Sequence, residues 1–363
     1  MKIVSVVGTR PNFMKLAPVA RALEMRSGVE HIIVHTGQHY DAGMSDDFFD
    51  DLDIPSPNYA LGVGSGTHTE TTTAVMSKLE PVLAFERPDL VLVYGDVNST
   101  VAAALTAAQR RIPVAHVEAG LRSRDRLQPE ELNRLVTDRI ATLLLAPSQD
   151  AVDNLHAEGI APSTVHFVGN VMIDSLMRAL PRARRERRWR HGEREGPYVV
   201  VTLHRPSNVD DPDCLRELIG ALEELSRETT VWFSMHPRTQ QRLNKMRLQP
   251  NGGGALHVLA PLGYVDMLGL VSSATLVITD SGGLQEETSF LGVPCLTVRP
   301  NTERPITCSF GTNTLVASER VALLAGARKA LHQTGARARP VIERWDGQAA
   351  ERIAEVVCDG AHY

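Results

Sequence analysis

The stretch "TLVITDSGGLQEETSFLGVPCLTVR" (residues 275–299) reads as strand, turn, helix and strand in succession. "TLVITD" and "PCLTVR" are short apolar runs rich in β-formers. Gly282 and Gly283 end the first, and the segment carrying Glu286 and Glu287 fits a helix. Strands joined through a helical crossover lie parallel, and strands buried on both faces read as unbroken apolar runs. The same unit recurs along the chain. In the first half the runs are "KIVSVV" (2–7), "HIIVHT" (31–36), "LVLVYG" (90–95), "PVAHVE" (113–118), "TLLLAP" (142–147) and "VHFVG" (165–169). In the second they are "YVVVTLH" (198–204), "VWFSMH" (231–236), "LHVLAP" (256–261), the two quoted above and "TLVAS" (314–318). Amphipathic patterns such as Met14, Val19, Leu23 and Val101, Leu105, Ala108 lie between them.

This rhythm predicts an α/β protein of two doubly wound, Rossmann-like domains facing one another across a cleft. The expected division is 1–169 for the N-terminal domain, 170–197 for a charged connector and 198–345 for the C-terminal domain. Residues 346–363 are expected to form a helix that packs back on the N-terminal domain. The connector contains "PRARRERRWRHGEREGP" (181–197). Its arginines, Arg182, Arg184, Arg185, Arg187, Arg188 and Arg190, suit a polyanion or a solvated face. Glu186, Glu193 and Glu195 dilute the charge and favour the solvated face.

At 363 residues the chain exceeds what one growing core accommodates, which agrees with two domains. With 43% hydrophobic and 22% charged residues the composition is that of a soluble globular protein. A net charge of -5 argues against a general nucleic-acid binder. Four cysteines, Cys214, Cys295, Cys308 and Cys358, form no CxxC pair, so neither a disulfide framework nor a zinc site is expected. The chain opens on "MKIVSVVG" without an apolar leader, and no segment has the length of a membrane span. A cytoplasmic protein is expected.

In open α/β sheets ligands bind beyond the carboxyl ends of strands, so the residues following each strand carry the functional reading. After the first strand, "GTRPNFMKLAPV" brings Gly8, Arg10 and Lys15 to a helix start, a place suited to an anion. No further glycine follows Gly8, so the dinucleotide fingerprint GxGxxG is absent. "YGDVNST" (94–100) puts Asp96 past a strand end, either in the cleft or as a helix N-cap. "HVEAGLR" (116–122) does the same with Glu118, for which an ion pair with Arg122 is the plainer reading. "PEELNR" (129–134) supplies Glu130 and Glu131 at a helix start, where capping accounts for one of them. "TLHRPSN" (202–208) ends a strand on His204 and Arg205, and a histidine there suits proton transfer near neutral pH. Ser281, Gly282 and Gly283 offer backbone N–H groups to a phosphate, and an acid one turn on suits the hydroxyls of a ribose. The whole implies acid–base chemistry on a phosphate-bearing substrate.

The ordered set "GTRPNFMKLAPV", "TGQH", "GDVNST", "HVEAGLR", "PEELNR", "GNVMID", "HR", "DSGGLQEE" and "TERP" resembles the non-hydrolysing UDP-N-acetylglucosamine 2-epimerases over nearly the full length. The resemblance implies a glycosyltransferase-B-like fold and interconversion of UDP-GlcNAc and UDP-ManNAc, with no redox cofactor and no required metal. It implies a homodimer. It assigns Asp96, Glu118, Glu130 and His204 to catalysis and Arg10 and Lys15 to the diphosphate. Ser281, Gly282 and Gly283 become the phosphate turn, Glu287 the ribose acid, and Arg304 a neighbour of the nucleotide sugar. Gln38 and His39 match positions with a regulatory role in some members. Members commonly carry His-Arg-x-Glu-Asn, whereas this chain has His204-Arg205-Pro206-Ser207-Asn208, so that glutamate's role has no bearer here. The rival readings are a hydrolysing epimerase releasing ManNAc and UDP, a UDP-sugar glycosyltransferase of the same fold, and a UDP-sugar sensor without catalysis. A short-chain NAD epimerase is disfavoured by the missing GxGxxG.

Overall fold

Each of the twelve apolar runs forms a strand, and every strand joins one of two all-parallel sheets. The computed structural model describes residues 1–37, 51–186, 196–250, 254–332 and 340–359. The first sheet contains β1 (Lys2–Val7), β2 (Glu30–His35), β3 (Tyr59–Ala60), β4 (Leu90–Tyr94), β5 (Val114–Val117), β6 (Leu143–Ala146) and β7 (Val165–Phe167). Its spatial order is β3-β2-β1-β4-β5-β6-β7. The second contains β8 (Tyr198–Thr202), β9 (Thr230–Ser234), β10 (Leu256–Leu259), β11 (Leu276–Thr279), β12 (Cys295–Val298) and β13 (Asn313–Val316), in the order β10-β9-β8-β11-β12-β13. Strand order therefore reverses between β1 and β4 and again between β8 and β11. A crevice opens at the carboxyl ends of such reversal points.

The unbroken apolar runs have the cause expected of them. In β8, Val199 and Val201 enter one core cluster with Leu218, Leu222 and Leu323, while Tyr198 and Val200 enter another with Leu270 and Val277. Alternate side chains leave opposite faces of a strand, and both faces here are covered by helices. Burying each such side chain is worth about 1.5–3 kcal/mol.

The chain divides into two compact units, Met1–Arg178 with Glu343–Tyr363, and Ala179–Ile342. The stretch expected as a connector begins inside a helix, Val171–Glu186. The helix Ala349–Cys358 packs on the helix Arg10–Glu24 of the N-terminal unit. Its Gln348 N-cap makes no side-chain hydrogen bond. Asp174 caps it instead, accepting from the N–H groups of Ala349 (3.3 Å) and Ala350 (2.7 Å). Among the described residues no helix is long and apolar enough to cross a membrane.

Candidate active site

In the N-terminal unit the strand ends on either side of the β1/β4 reversal carry the charged residues. β1 runs through Gly8 into the helix Arg10–Glu24, whose N-cap Thr9 forms a capping box with Asn12. Gly8 is required there, because a Cβ would collide with Ser99 Oγ and Thr36 Oγ1. Arg10 is the first helical residue. One turn on, the Lys15 ammonium pairs with Glu118 Oε2, both side chains almost wholly buried. Glu118 follows β5 in a left-handed conformation (φ 74°), which costs a non-glycine residue about 1–2 kcal/mol. Gly95 (φ 63°) lies against this pair. A Cβ on it would stand 2.8 Å from Lys15 Nζ and 3.0 Å from Glu118 Oε2, so only glycine fits.

Asp96 does not cap a helix. The N-cap of Asn98–Gln109 is Val97, and Asp96 Oδ2 accepts from Arg134 Nη2 at 2.6 Å. Arg134 is buried on the helix Pro129–Ile140 and also donates to Glu131 Oε2 at 2.9 Å. Glu131 in turn accepts from Ser123 N (2.8 Å), Ser123 Oγ (3.0 Å) and Arg124 N (2.9 Å). The N-cap of that helix is Gln128, without a side-chain cap, so capping explains neither glutamate. Glu131 ties down a loop, and Glu130 is exposed to solvent. Arg122 pairs with Asp138 and Glu158 rather than with Glu118.

In the C-terminal unit, His204 and Arg205 follow β8 and Asp280 follows β11, on either side of the second reversal. Asp280 is fully buried and accepts from His204 N, Arg205 N and Asn208 Nδ2 at 2.9–3.0 Å. His204 Nδ1 stands 2.9 Å from Asp280 Oδ1. Burial opposes ionisation of Asp280, but the His204 ring and the hydrogen-bond donors outweigh it and hold its carboxyl below the usual range. With Nδ1–H donated to a carboxylate, Nε2 of the partly exposed His204 is the nitrogen left for proton transfer.

The helix Gly282–Leu291 begins at the turn Ser281-Gly282-Gly283, all three residues partly exposed. Its first N–H groups have no intrahelical partner and carry the positive end of the helix dipole. Behind the turn, a Cβ on Gly282 would come within 2.6 Å of Arg304 Nη1 and 2.9 Å of Glu303 Oε1. Arg304 is anchored by Glu286 Oε1 at 2.8 Å and by Glu303. Glu303 also takes Arg299 Nη2 at 2.5 Å. Its carboxyl lies far below the usual range: burial works against ionisation, and the Arg304 and Arg299 charges overcome it. Glu287 differs. Burial, with the neighbouring Glu286 charge, pushes its carboxyl up to about 8, and Tyr264 hydrogen-bonds to it.

The chain matches the family model for UDP-N-acetylglucosamine 2-epimerase over residues 21–358. The chain belongs to this family. The UDP-N-acetylglucosamine 2-epimerase of Methanocaldococcus jannaschii is 39% identical, with 100% of each chain covered. The crystal structure of the M. jannaschii UDP-GlcNAc 2-epimerase in complex with UDP-GlcNAc and UDP superposes with a TM-score of 0.91 at 39% identity, covering 99% of this chain and 100% of that one. The UDP-2,3-diacetamido-2,3-dideoxy-D-glucuronate 2-epimerase of Pseudomonas aeruginosa is 40% identical over 98% of this chain and 99% of its own.

Of the residues expected from the family's motifs, Lys15, Asp96 and Glu118 stand in two separate ion pairs, Lys15–Glu118 and Asp96–Arg134, within one unit. His204 stands in the other unit, as does the group Ser281, Gly282, Gly283, Glu287 and Arg304. Gln38 and His39 lie outside the described residues, as does the side chain of Arg10. Reading the sequence missed Asp280, although "TLVITD" ends on it as "LVLVYGD" ends on Asp96. It also missed Arg134 and Glu303, although they stand in "PEELNR" and "TERP", and Asp138, for which no local signal exists.

Proposed function

We propose that this chain is a non-hydrolysing 2-epimerase that interconverts UDP-GlcNAc and UDP-ManNAc. The observation that carries the reading is the pair of strand-end carboxylates in a family member, Asp96 held by Arg134 and Glu118 held by Lys15. Inversion at C2 needs proton transfer at both faces of that carbon. The C2 hydrogen is not beside a carbonyl, so deprotonation must accompany departure of the anomeric oxygen. A carboxylate takes the C2 proton, the C2–H electron pair forms the C1=C2 bond, and the C1–O pair leaves with UDP. The resulting 2-acetamidoglucal regains a proton on the opposite face of C2 while a UDP oxygen returns to C1. Asp96, Glu118 and Glu130 are the proposed proton-transfer groups, with His204 oriented by Asp280.

The leaving diphosphate is stabilised in this proposal by Arg10, Lys15 and the Ser281-Gly282-Gly283 turn, fixed donors that meet charge as it develops. Glu287 receives the ribose hydroxyls, and Arg304 supports the Gly282 turn from behind. The same proposal takes the enzyme as a cytoplasmic homodimer that uses neither a redox cofactor nor a metal.

The test is incubation of the purified protein with UDP-GlcNAc alone, followed by NMR. UDP-ManNAc supports the proposal. Free ManNAc with UDP transfers the reading to a hydrolysing enzyme. No change with UDP-GlcNAc, together with C2 inversion of UDP-2,3-diacetamido-2,3-dideoxy-D-glucuronate, assigns the other sugar, the one named for the relative at 40% identity.

A further inference from the structure

His116 lies in the middle of the N-terminal unit's charged strand ends, fully buried on β5 and paired in register with Val93 of β4. Its two ring nitrogens meet two acceptors. Nε2 is 2.7 Å from the carbonyl oxygen of Gly95, and Nδ1 is 2.6 Å from Asp138 Oδ1. A carbonyl only accepts, so Nε2 carries a hydrogen. The Asp138 carboxylate accepts too, and also receives Arg122 Nη1 at 2.7 Å and Gly120 N at 3.1 Å. Burial alone would push its carboxyl up, but the His116 and Arg122 charges prevail and hold it down. Both nitrogens of His116 therefore donate. Arg122 continues the chain to Glu158 with two contacts of 2.7 Å, so two cations and two anions balance.

What these bonds grip is two turns with left-handed backbone, strained at the one non-glycine residue among them, Glu118. Gly95 (φ 63°) precedes Asp96, and Glu118 (φ 74°) and Gly120 (φ 86°) make the turn after β5. The left-handed conformation of Glu118 persists only where the surroundings over-determine it. His116 holds the carbonyl of the first turn, and through Asp138 it holds the N–H of Gly120 in the second. Asp138 comes from Pro129–Ile140, the helix that also sends Arg134 to Asp96.

We propose that His116 is a positioning residue: as a doubly donating imidazolium it fixes the turn bearing Asp96 against the turn bearing Glu118, so that both carboxylates keep the separation the reaction requires. The inference rests on the epimerase reading for its consequence in turnover. Its geometric content stands apart from that reading.

Two variants separate the two bonds, because the amide nitrogen of glutamine falls near Nε2 of histidine and that of asparagine near Nδ1. H116Q keeps the bond to Gly95, and H116N keeps the bond to Asp138. The experiment measures kcat, KM and the urea midpoint for both in the full-length chain, and records the ¹⁵N spectrum of the wild-type ring. Misplacing reacting groups by about 1 Å costs roughly 100-fold in rate. Each variant leaves one turn untied, so the expected result is kcat lowered roughly 100-fold in both with KM unchanged and urea midpoints close to that of the wild type, together with hydrogens on both ring nitrogens. Wild-type kcat in either variant, or losses that follow the urea midpoint, would overturn the positioning role. A ring carrying one hydrogen would overturn the imidazolium. If the wild type turns over no UDP-sugar, the functional reading fails, and the ¹⁵N result still decides the geometry.

Discussion

Lys15 gives its ammonium to Glu118 in a place where neither side chain meets solvent. The two residues come from different crossovers, one turn into the helix after β1 and at the end of β5, and Gly95 is kept bare to let them meet. A buried pair of this kind adds little net stability over an apolar pair, but its halves are costly to separate.

Replacing Lys15 by methionine strands a buried carboxylate. K15M is expected to lower unfolding stability by about 3–5 kcal/mol in urea titrations. The double variant K15M/E118Q removes the orphaned charge and should recover most of that stability while staying inactive. Recovery of activity in the double variant would show that neither group takes part in turnover.

Asp280 should govern His204 through the hydrogen bond to Nδ1. General acid–base groups contribute roughly 100- to 10,000-fold, so D280N is expected to lose at least the lower figure in kcat. Residues acting as one unit are not additive, and D280N/H204Q should be no slower than H204Q alone. Kinetic constants of the three variants decide this, with UDP affinity unchanged throughout.

Glu287 predicts a pH dependence of stability. Its carboxyl lies at about 8 in the folded chain against an ordinary 4.5, so the native state holds the proton more tightly than the unfolded state. Stability from this group is fully present below pH 4.5 and is lost as pH rises toward 8. At 1.36 kcal/mol per pH unit the loss amounts to about 5 kcal/mol at most. E287Q stays neutral, and its urea midpoint should change less than that of the wild type between pH 5 and pH 8.

Gly282 stands in front of Arg304 and Glu303 with no room for a methyl group. Forcing a side chain into a filled site costs about 1–3 kcal/mol. G282A is expected to unfold earlier and to bind UDP more weakly by calorimetry, whereas G28A, at a glycine with open space around it, should leave UDP affinity unchanged.

The strands were legible because parallel strands covered on both faces keep no polar alternation, as Val199, Val200 and Val201 show. Tyr59–Ala60 escaped notice, since two residues at a sheet edge carry no period. The charged residues 181–186 look like linker, yet they continue a helix whose Ala183 is buried. At the site, the sequence displays the residues that end strands but not their partners. Asp96 finds Arg134 38 positions away, His116 finds Asp138 22 away, and the His204 amide finds Asp280 76 away. Only the fold makes those neighbours. The left-handed conformation of Glu118 also leaves no trace, because glutamate has no preference for it.

The most direct measurement follows hydrogen at C2. UDP-GlcNAc is incubated with the enzyme in heavy water, and both epimers are recovered and read by proton NMR. Deprotonation and reprotonation by carboxylates predict deuterium at C2 in the UDP-ManNAc formed. Inversion with the original hydrogen kept at C2 would contradict proton transfer through solvent-exchanging groups, and with it the account of Asp96 and Glu118.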